Sequence, residues 1–318
     1  MKPYQAPAWL PGGHAQTLWP LLIKPAAIKL HRERWTTPDG DFIDVDYLDG
    51  PAKAPLVVLF HGLEGSARSH YAISTALACK KAGWRLALPH FRGCSGELNH
   101  RPRAYHSGDS AEIDWILRRL QAANGGKLVH AAGVSLGGNA LLKWAGERGT
   151  AAGEQVTGVV AMCAPLDLAA CGHHLARGFN RIYTRHFLQT LKTVSRARLH
   201  QFPGLFDEAK MQQAINLYQF DDAVTAPMHG FAGADDYWQR ASAKPWLKSI
   251  AVPTLAVNPK NDPFLPARYL PTASEISPSV HLENPAGGGH VGFVSGSFPG
   301  NLDWLPQRLL HFFLFETS

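Results

Sequence analysis

Short apolar runs alternate with helix-patterned stretches through most of this sequence, and that alternation restricts the available folds more than any other feature. The runs "PLVVLFHG" (55–62), "WRLALPHF" (84–91), "KLVHAAGVS" (127–135), "VTGVVAMCAP" (156–165) and "PTLAVNPKND" (253–262) are rich in Val and Leu and are bounded by turn residues. Continuous apolarity of this length marks strands covered on both faces. Between them, "SHYAISTALACKKAG" (69–83), "SAEIDWILRRLQAAN" (110–124) and "NALLKWAGERG" (139–149) place apolar residues at helical spacing. The first and last close on glycine, a common helix stop. Strand and helix in alternation predict a mostly parallel sheet with helices on both faces.

The alternation lapses between 166 and 248, which read as helices and loops without a buried strand. This predicts a helical lid (166–248) inserted into an α/β core made of 1–165 and 249–318, with about 1–31 as an N-terminal extension. Ahead of the core, "RERWTTPDGDFIDVDYLDG" (32–50) alternates polar and apolar residues about a PDGD turn, the pattern of an antiparallel edge hairpin. The stretch "LDWLPQRLLHFFLFE" (302–316) predicts a closing amphipathic helix.

Apolar residues at 45% and charged residues at 18% exclude disorder. No stretch reaches the ~18 apolar residues of a membrane span, and the opening "KPYQAPAWLPGGHAQTLWPLL" is too broken by Pro, Gly and His for an export signal. Cys79, Cys94, Cys163 and Cys171 show no CxxC spacing, so free thiols in a reducing cytoplasm are expected. The net charge of +6 is concentrated only in "RGFNRIYTRHFLQTLKTVSRARLH". Apolar residues recur there at helical intervals, which reads as a solvated helix face and argues against a nucleic-acid surface.

Within 127–149, Gly133-Val134-Ser135-Leu136-Gly137 matches G-x-S-x-G at the point where an apolar strand hands over to a helix. A serine at so sharp a turn takes strained backbone angles, and glycines on either side let neighbouring backbone pass. The turn lifts Ser135 Oγ to a helix N-terminus, where free amides favour developing negative charge. That geometry suits a nucleophile, which then needs a histidine base and an acid to orient it.

Proteins built on such an elbow place nucleophile, acid and histidine in that chain order. His290, in the glycine-rich "NPAGGGHVGF", meets the requirement, whereas His281 on the preceding extended run and His311 in the final helix read as structural. The acid belongs at the end of a late strand, which selects Asp262 after "TLAVNPKN". Asp167, after the preceding strand, stays open as a rival acid or as the cap of the first lid helix, and Asp235 and Asp236 are further rivals. Two backbone amides should bind the oxyanion, those of Leu136 and of Leu63 in "FHGLEG" (60–65), with His61 orienting that loop.

The chain resembles the YheT-like branch of the α/β-hydrolases, a group of esterases that includes eukaryotic membrane-associated relatives. Besides the catalytic loops, "GGHAQTLWP", "HGLEGSARSHY", "HFRGCSGELNHRPRAYHSGD", "NRIYTRHFL" and "FDDAVTAPMHGFAGADDYW" carry the resemblance nearly end to end. It implies an α/β-hydrolase fold with an inserted helical lid and hydrolysis of carboxylic esters with short- to medium-chain or lipid-like acyl groups. The family's triad falls on Ser135, Asp262 and His290. The eukaryotic relatives' membrane anchor has no counterpart in the sequence.

The expected activity is therefore that of a serine carboxylesterase acting through an acyl-enzyme on a small-molecule ester, without a cofactor, a nucleic-acid partner or an integral membrane segment. Acyl transfer to another acceptor, or ligand binding without catalysis on the same fold, are the alternatives. Cys171, His173 and His174 lack metal-ligand spacing. Arg92, Cys94, Ser95 and Glu97 are expected to brace a loop, with lining of the pocket as the alternative, and Phe179, Tyr183, Phe187, Leu188 and Leu191 to pack between lid and sheet, part of the stripe forming an acyl wall.

Overall fold

A computed structural model describes residues 1–23 and 26–317. Its eight strands are β1 (His31–Thr36), β2 (Phe42–Leu48), β3 (Leu56–Phe60), β4 (Arg85–Pro89), β5 (Val129–Val134), β6 (Val156–Met162), β7 (Thr254–Val257) and β8 (Val280–Glu283). They form one sheet in the order β1-β2-β4-β3-β5-β6-β7-β8. The pairs β1–β2 and β2–β4 are antiparallel and every later pair is parallel. The fold is that of an α/β hydrolase, with the hairpin at the expected edge.

The helices are α1 (Gly13–Leu18), α2 (His70–Ala82), α3 (Ser110–Ala123), α4 (Leu136–Arg148), α5 (Leu168–Leu175), α6 (Arg181–Gln201), α7 (Glu208–Gln213), α8 (Leu217–Phe220), α9 (Ala226–His229), α10 (Ala234–Ala241) and α11 (Trp304–Phe315). Alternation along the strands divides the core between the two faces of the sheet. Val58 and Phe60 of β3 join Ala131 and Val159 under α3 and α4, whereas Val57 and Leu59 join Ala132 and Val160 under α2 and α11. Every residue of β3 is buried, which is why its sequence reads as one apolar run.

Helix ends follow local chemistry. Gly83 ends α2 at φ 70°, its amide capping the Cys79 and Lys80 carbonyls. Helix α4 begins at Leu136, three residues before the start read from the sequence, because packing against β3 compensates the low helix propensity of two glycines. Strand β6 stops at Met162, short of the run's end at 165, because Cys163 turns the chain at φ 53°.

Between β6 and β7 the described residues form helices α5 to α10 and no strand. Asn139 on α4 anchors this segment to the core: its Nδ2 donates to Ser107 O and Ala241 O, and its Oδ1 accepts from Ala243 N–H. Among the described residues no helix is long and apolar enough to cross a membrane.

Candidate active site

Strand β5 ends at Val134 and α4 begins at Leu136, so Ser135 makes the turn alone, at φ 51° and ψ −119°. That backbone is strained for an L residue and persists only where the surroundings dictate it. Ser135 N–H donates to Met162 O at 2.8 Å, and Ser135 O accepts the Asn139 amide at 3.0 Å. Space dictates the flanking glycines. A Cβ on Gly133 would stand 2.7 Å from Gly137 C and Gly138 N, and one on Gly137 would stand 2.6 Å from Phe60 O.

The turn delivers Ser135 Oγ to 3.0 Å from His290 Nε2, whose Nδ1 lies 2.9 Å from Asp262 Oδ2. Asp262 Oδ1 accepts the Phe264 amide at 2.8 Å, so both carboxylate oxygens are engaged. The Phe264 ring stacks on the imidazole, centroids 3.8 Å apart and planes 14° from parallel. Only 2% of the Asp262 side chain and 10% of that of His290 meet solvent, which strengthens the chain of hydrogen bonds. A carboxylate accepting from Nδ1–H leaves Nε2 as the base for a hydroxyl.

The other candidates lie elsewhere. Asp167 Oδ1 accepts the Ala170 amide at 2.9 Å and caps α5. Asp235 accepts from Tyr218 OH, and Asp236 from Ala232 N–H and Arg240. His281 sits exposed on β8, and His311 pairs with Glu316.

Four consecutive amides fix the His290 loop, each by a different residue. Gly288 N–H donates to Gln16 Oε1 at 2.7 Å, Gly289 N–H to Asn261 Oδ1 at 3.0 Å, His290 N–H to Thr17 Oγ1 at 2.8 Å and Val291 N–H to Cys163 Sγ at 3.2 Å. His70 Nε2–H donates to Val291 O at 3.1 Å. Gln16, Thr17, Asn261 and Cys163 are missed by sequence reasoning, and the "GGHAQTLWP" block was the one signal available for the first two. Burial pushes the Cys163 thiol well up, so it stays neutral beside Asp262.

The loop after β3 is tied down on both sides of Leu63. His61 is fully buried, and burial lowers it to about 3, so its ring is neutral. Its Nδ1–H donates to Gly62 O at 2.7 Å and its Nε2 accepts the Phe91 amide at 3.0 Å, the orienting role read from the sequence. Gly62 N–H donates to Tyr71 OH and Glu64 N–H to Tyr105 OH. The Leu63 amide between them has no acceptor among the described residues. The Leu136 amide, in the first turn of α4, has no intrahelical acceptor either. Leu63, Leu136 and Ser135 border one cavity of ≈ 140 Å³.

Loops of the sheet and helices between β6 and β7 enclose that cavity. Phe187 and Leu191 line it, while Tyr183 and Leu188 are buried nearby. Phe179 departs from the expected stripe and is 52% exposed, because it precedes α6 in a separate turn and packs on His14. Arg92 is buried in ion pairs with Asp39, Asp41 and Glu112, Ser95 O accepts from Arg32, and Glu97 pairs with Arg34, so this loop is braced as expected. Helix α6 is not solvated throughout, since Arg198 near its end is 5% exposed and faces the cavity.

The profile of the α/β hydrolase fold family matches residues 55–297. The Escherichia coli (strain K12) protein named "Putative esterase YheT" is 39% identical over 303 residues, which are 93% of this chain and 88% of that one. Phospholipase ABHD3 of Mus musculus is 27% identical over 320 residues, 97% of this chain and 77% of its own. The solved esterase EaEST from Exiguobacterium antarcticum shares the fold, with a TM-score of 0.53 at 19% identity over 90% of this chain and 99% of that one.

Proposed function

We propose that this chain, which belongs to the α/β-hydrolase family and to its YheT-like branch, is a serine carboxylic ester hydrolase. The observation that carries the reading is the continuous hydrogen-bond chain from Ser135 Oγ through His290 to Asp262. In the proposed cycle His290 Nε2 takes the Ser135 proton as Oγ attacks the ester carbonyl. The Leu63 and Leu136 amides stabilise the tetrahedral oxyanion, and Asp262 holds the ring and balances the imidazolium. The alcohol leaves with the proton from His290. Water, deprotonated by the same nitrogen, then releases the acid and restores Ser135. The cycle as written calls for no cofactor.

Helices α5 to α10 act as a lid in this reading, inserted as 166–248 into a core of 1–165 and 249–318. The apolar side chains of Leu168, Leu175, Phe187 and Leu191 in the cavity favour short- to medium-chain or lipid-like acyl groups. Four unpaired cysteines fit a cytoplasmic setting. The test is hydrolysis of p-nitrophenyl esters from acetate to palmitate by wild type and Ser135→Ala at equal purity. A serine-dependent optimum supports the reading, and rates that survive the substitution overturn it.

A further inference from the structure

Among the described residues, three arginines are more than nine-tenths buried: Arg92, Arg198 and Arg308. Arg92 pairs with Asp39, Asp41 and Glu112, and Arg308 with Glu283 and Glu316. A buried guanidinium without such partners leaves its charge uncompensated, which is costly. Arg198 is the exception, for no described carboxylate comes within 4.0 Å of it and none of its nitrogens donates to a described protein group. Arg198 lines the cavity that Ser135 borders, whose walls are otherwise mainly apolar.

The surroundings leave room for a ligand there. Gly93 also borders the cavity, and a Cβ on it would stand 3.1 Å from Arg198 Nη2, so the missing side chain makes space for the guanidinium. Of the two acidic side chains in the lining, Asp221 accepts from Thr225 Oγ1–H and Trp238 Nε1–H, and Glu64, one residue beyond the proposed oxyanion donor Leu63, is engaged as well. Glu64 Oε1 accepts from Tyr105 OH at 2.7 Å, and burial pushes its carboxyl up toward the neutral form. Burial also lowers Arg198 from its ordinary value, and the opposing pull of surrounding groups, Glu64 and Asp41 among them, does not cancel it.

We propose that Arg198 is a specificity-determining residue, and that preferred ester substrates carry an anionic group, a carboxylate or a phosphate, which its guanidinium holds while the ester lies at Ser135. Guanidinium matches both oxyanions through paired N–H donors, and desolvation by the apolar walls strengthens the contact. The inference rests on the ester-hydrolase reading and deepens it. The site selects for charge at one end of an otherwise apolar substrate.

The test compares mono-p-nitrophenyl suberate with its ω-methyl ester, identical but for the charge. Wild type should show at least tenfold higher kcat/KM for the charged ester, mainly through KM. Arg198→Gln should lower that ratio tenfold or more, and Arg198→Lys should restore part of it. Equal effects of Arg198→Gln on both esters would mean a structural role, and a wild type that favours the methyl ester would overturn the proposal. Binding of monomethyl suberate and of hexyl phosphate to the Ser135→Ala protein, followed by calorimetry, separates the two anions without requiring turnover. Tighter binding of one names the class, and no Arg198-dependent binding of either overturns the inference even if esterase activity stands. Loss of serine-dependent hydrolysis with anion binding intact would instead overturn the esterase reading alone.

Discussion

Replacing Gly137 with alanine probes the elbow by adding one methyl group and deleting nothing. Its Cβ would stand 2.6 Å from Phe60 O, 2.8 Å from Phe60 C and closer still to His61 O, all backbone. Carbon contacts are comfortable near 3.5 Å, so the start of α4 must retreat from the end of β3 by about 1 Å. The first turn of α4 carries the Leu136 amide, and the loop leaving β3 carries that of Leu63. A misplacement near 1 Å costs a site about 10²-fold in rate. Overpacking costs about 1–3 kcal/mol, which at ~2.1 cal/mol/K per residue lowers the melting temperature of a chain this size by roughly 1.5–4.5 °C. The expected variant is folded, melts a few degrees early and loses about two orders of magnitude in kcat on p-nitrophenyl butyrate. A fluorophosphonate titration counts competent serines, and Gly153→Ala serves as control, since a Cβ there meets only Val252 Cγ1, at 3.7 Å. Wild-type kcat and melting temperature for Gly137→Ala would refute the close-packing argument. A loss matched by a fall in titratable serines would trace the effect to unfolding and refute its geometric part.

Asp262→Asn should keep the fold and lower kcat by about 10⁴-fold, because an amide in place of the carboxylate favours the wrong imidazole tautomer. Steady-state kinetics with a melting curve check it, and a loss under tenfold would move the acid's role elsewhere. Thr17→Val removes the acceptor of the His290 amide and the hydroxyl that donates to Gly13 O. Leaving that amide unpaired costs about 1–3 kcal/mol, so kcat/KM should fall roughly tenfold, and unchanged kinetics would show that the loop needs no such brace. Burial lowers His61 and His229 to about 3 and His130 to about 4. Each is protonated near pH 6.5 only when unfolded, so stability present above that pH drains as pH falls toward those values, by up to about 1.4 kcal/mol per unit per histidine. Burial raises Asp221 to about 6 and Glu112 to about 7, which opposes part of this change. The expected net result is a melting temperature that falls from pH 7 to pH 5, and a flat profile would contradict it.

What the sequence discloses follows from what each feature needs locally. Buried strands such as Leu56–Phe60 declare themselves because both faces must be apolar. The elbow is legible because Gly133 and Gly137 answer to atoms within a few residues or on the adjacent strand. Asp262 and His290 could be chosen by chain order and strand ends, and they meet at 2.9 Å. Asp167 could not be set aside beforehand, since capping α5 and orienting a histidine ask for the same side chain. Asn261 was illegible, and Gln16 and Thr17 showed only as part of their block, because a polar residue's partner across the fold leaves no period in its own neighbourhood. Arg198 was hidden for the opposite reason. Its helix is charged at many exposed positions, and only packing distinguishes the one that turns inward.

The bonds that hold the His290 loop also set a timetable for the nascent chain. Ser135 and His290 are 155 residues apart, and Thr17 waits across 273 for the amide it receives. At synthesis rates of about 5–20 residues per second, the elbow is made roughly 8–30 s before the histidine exists. Throughout that interval the proposed nucleophile stands without the proposed base. In the proposed cycle, hydrolysis cannot begin until translation has passed residue 290 and two segments 273 residues apart have found each other.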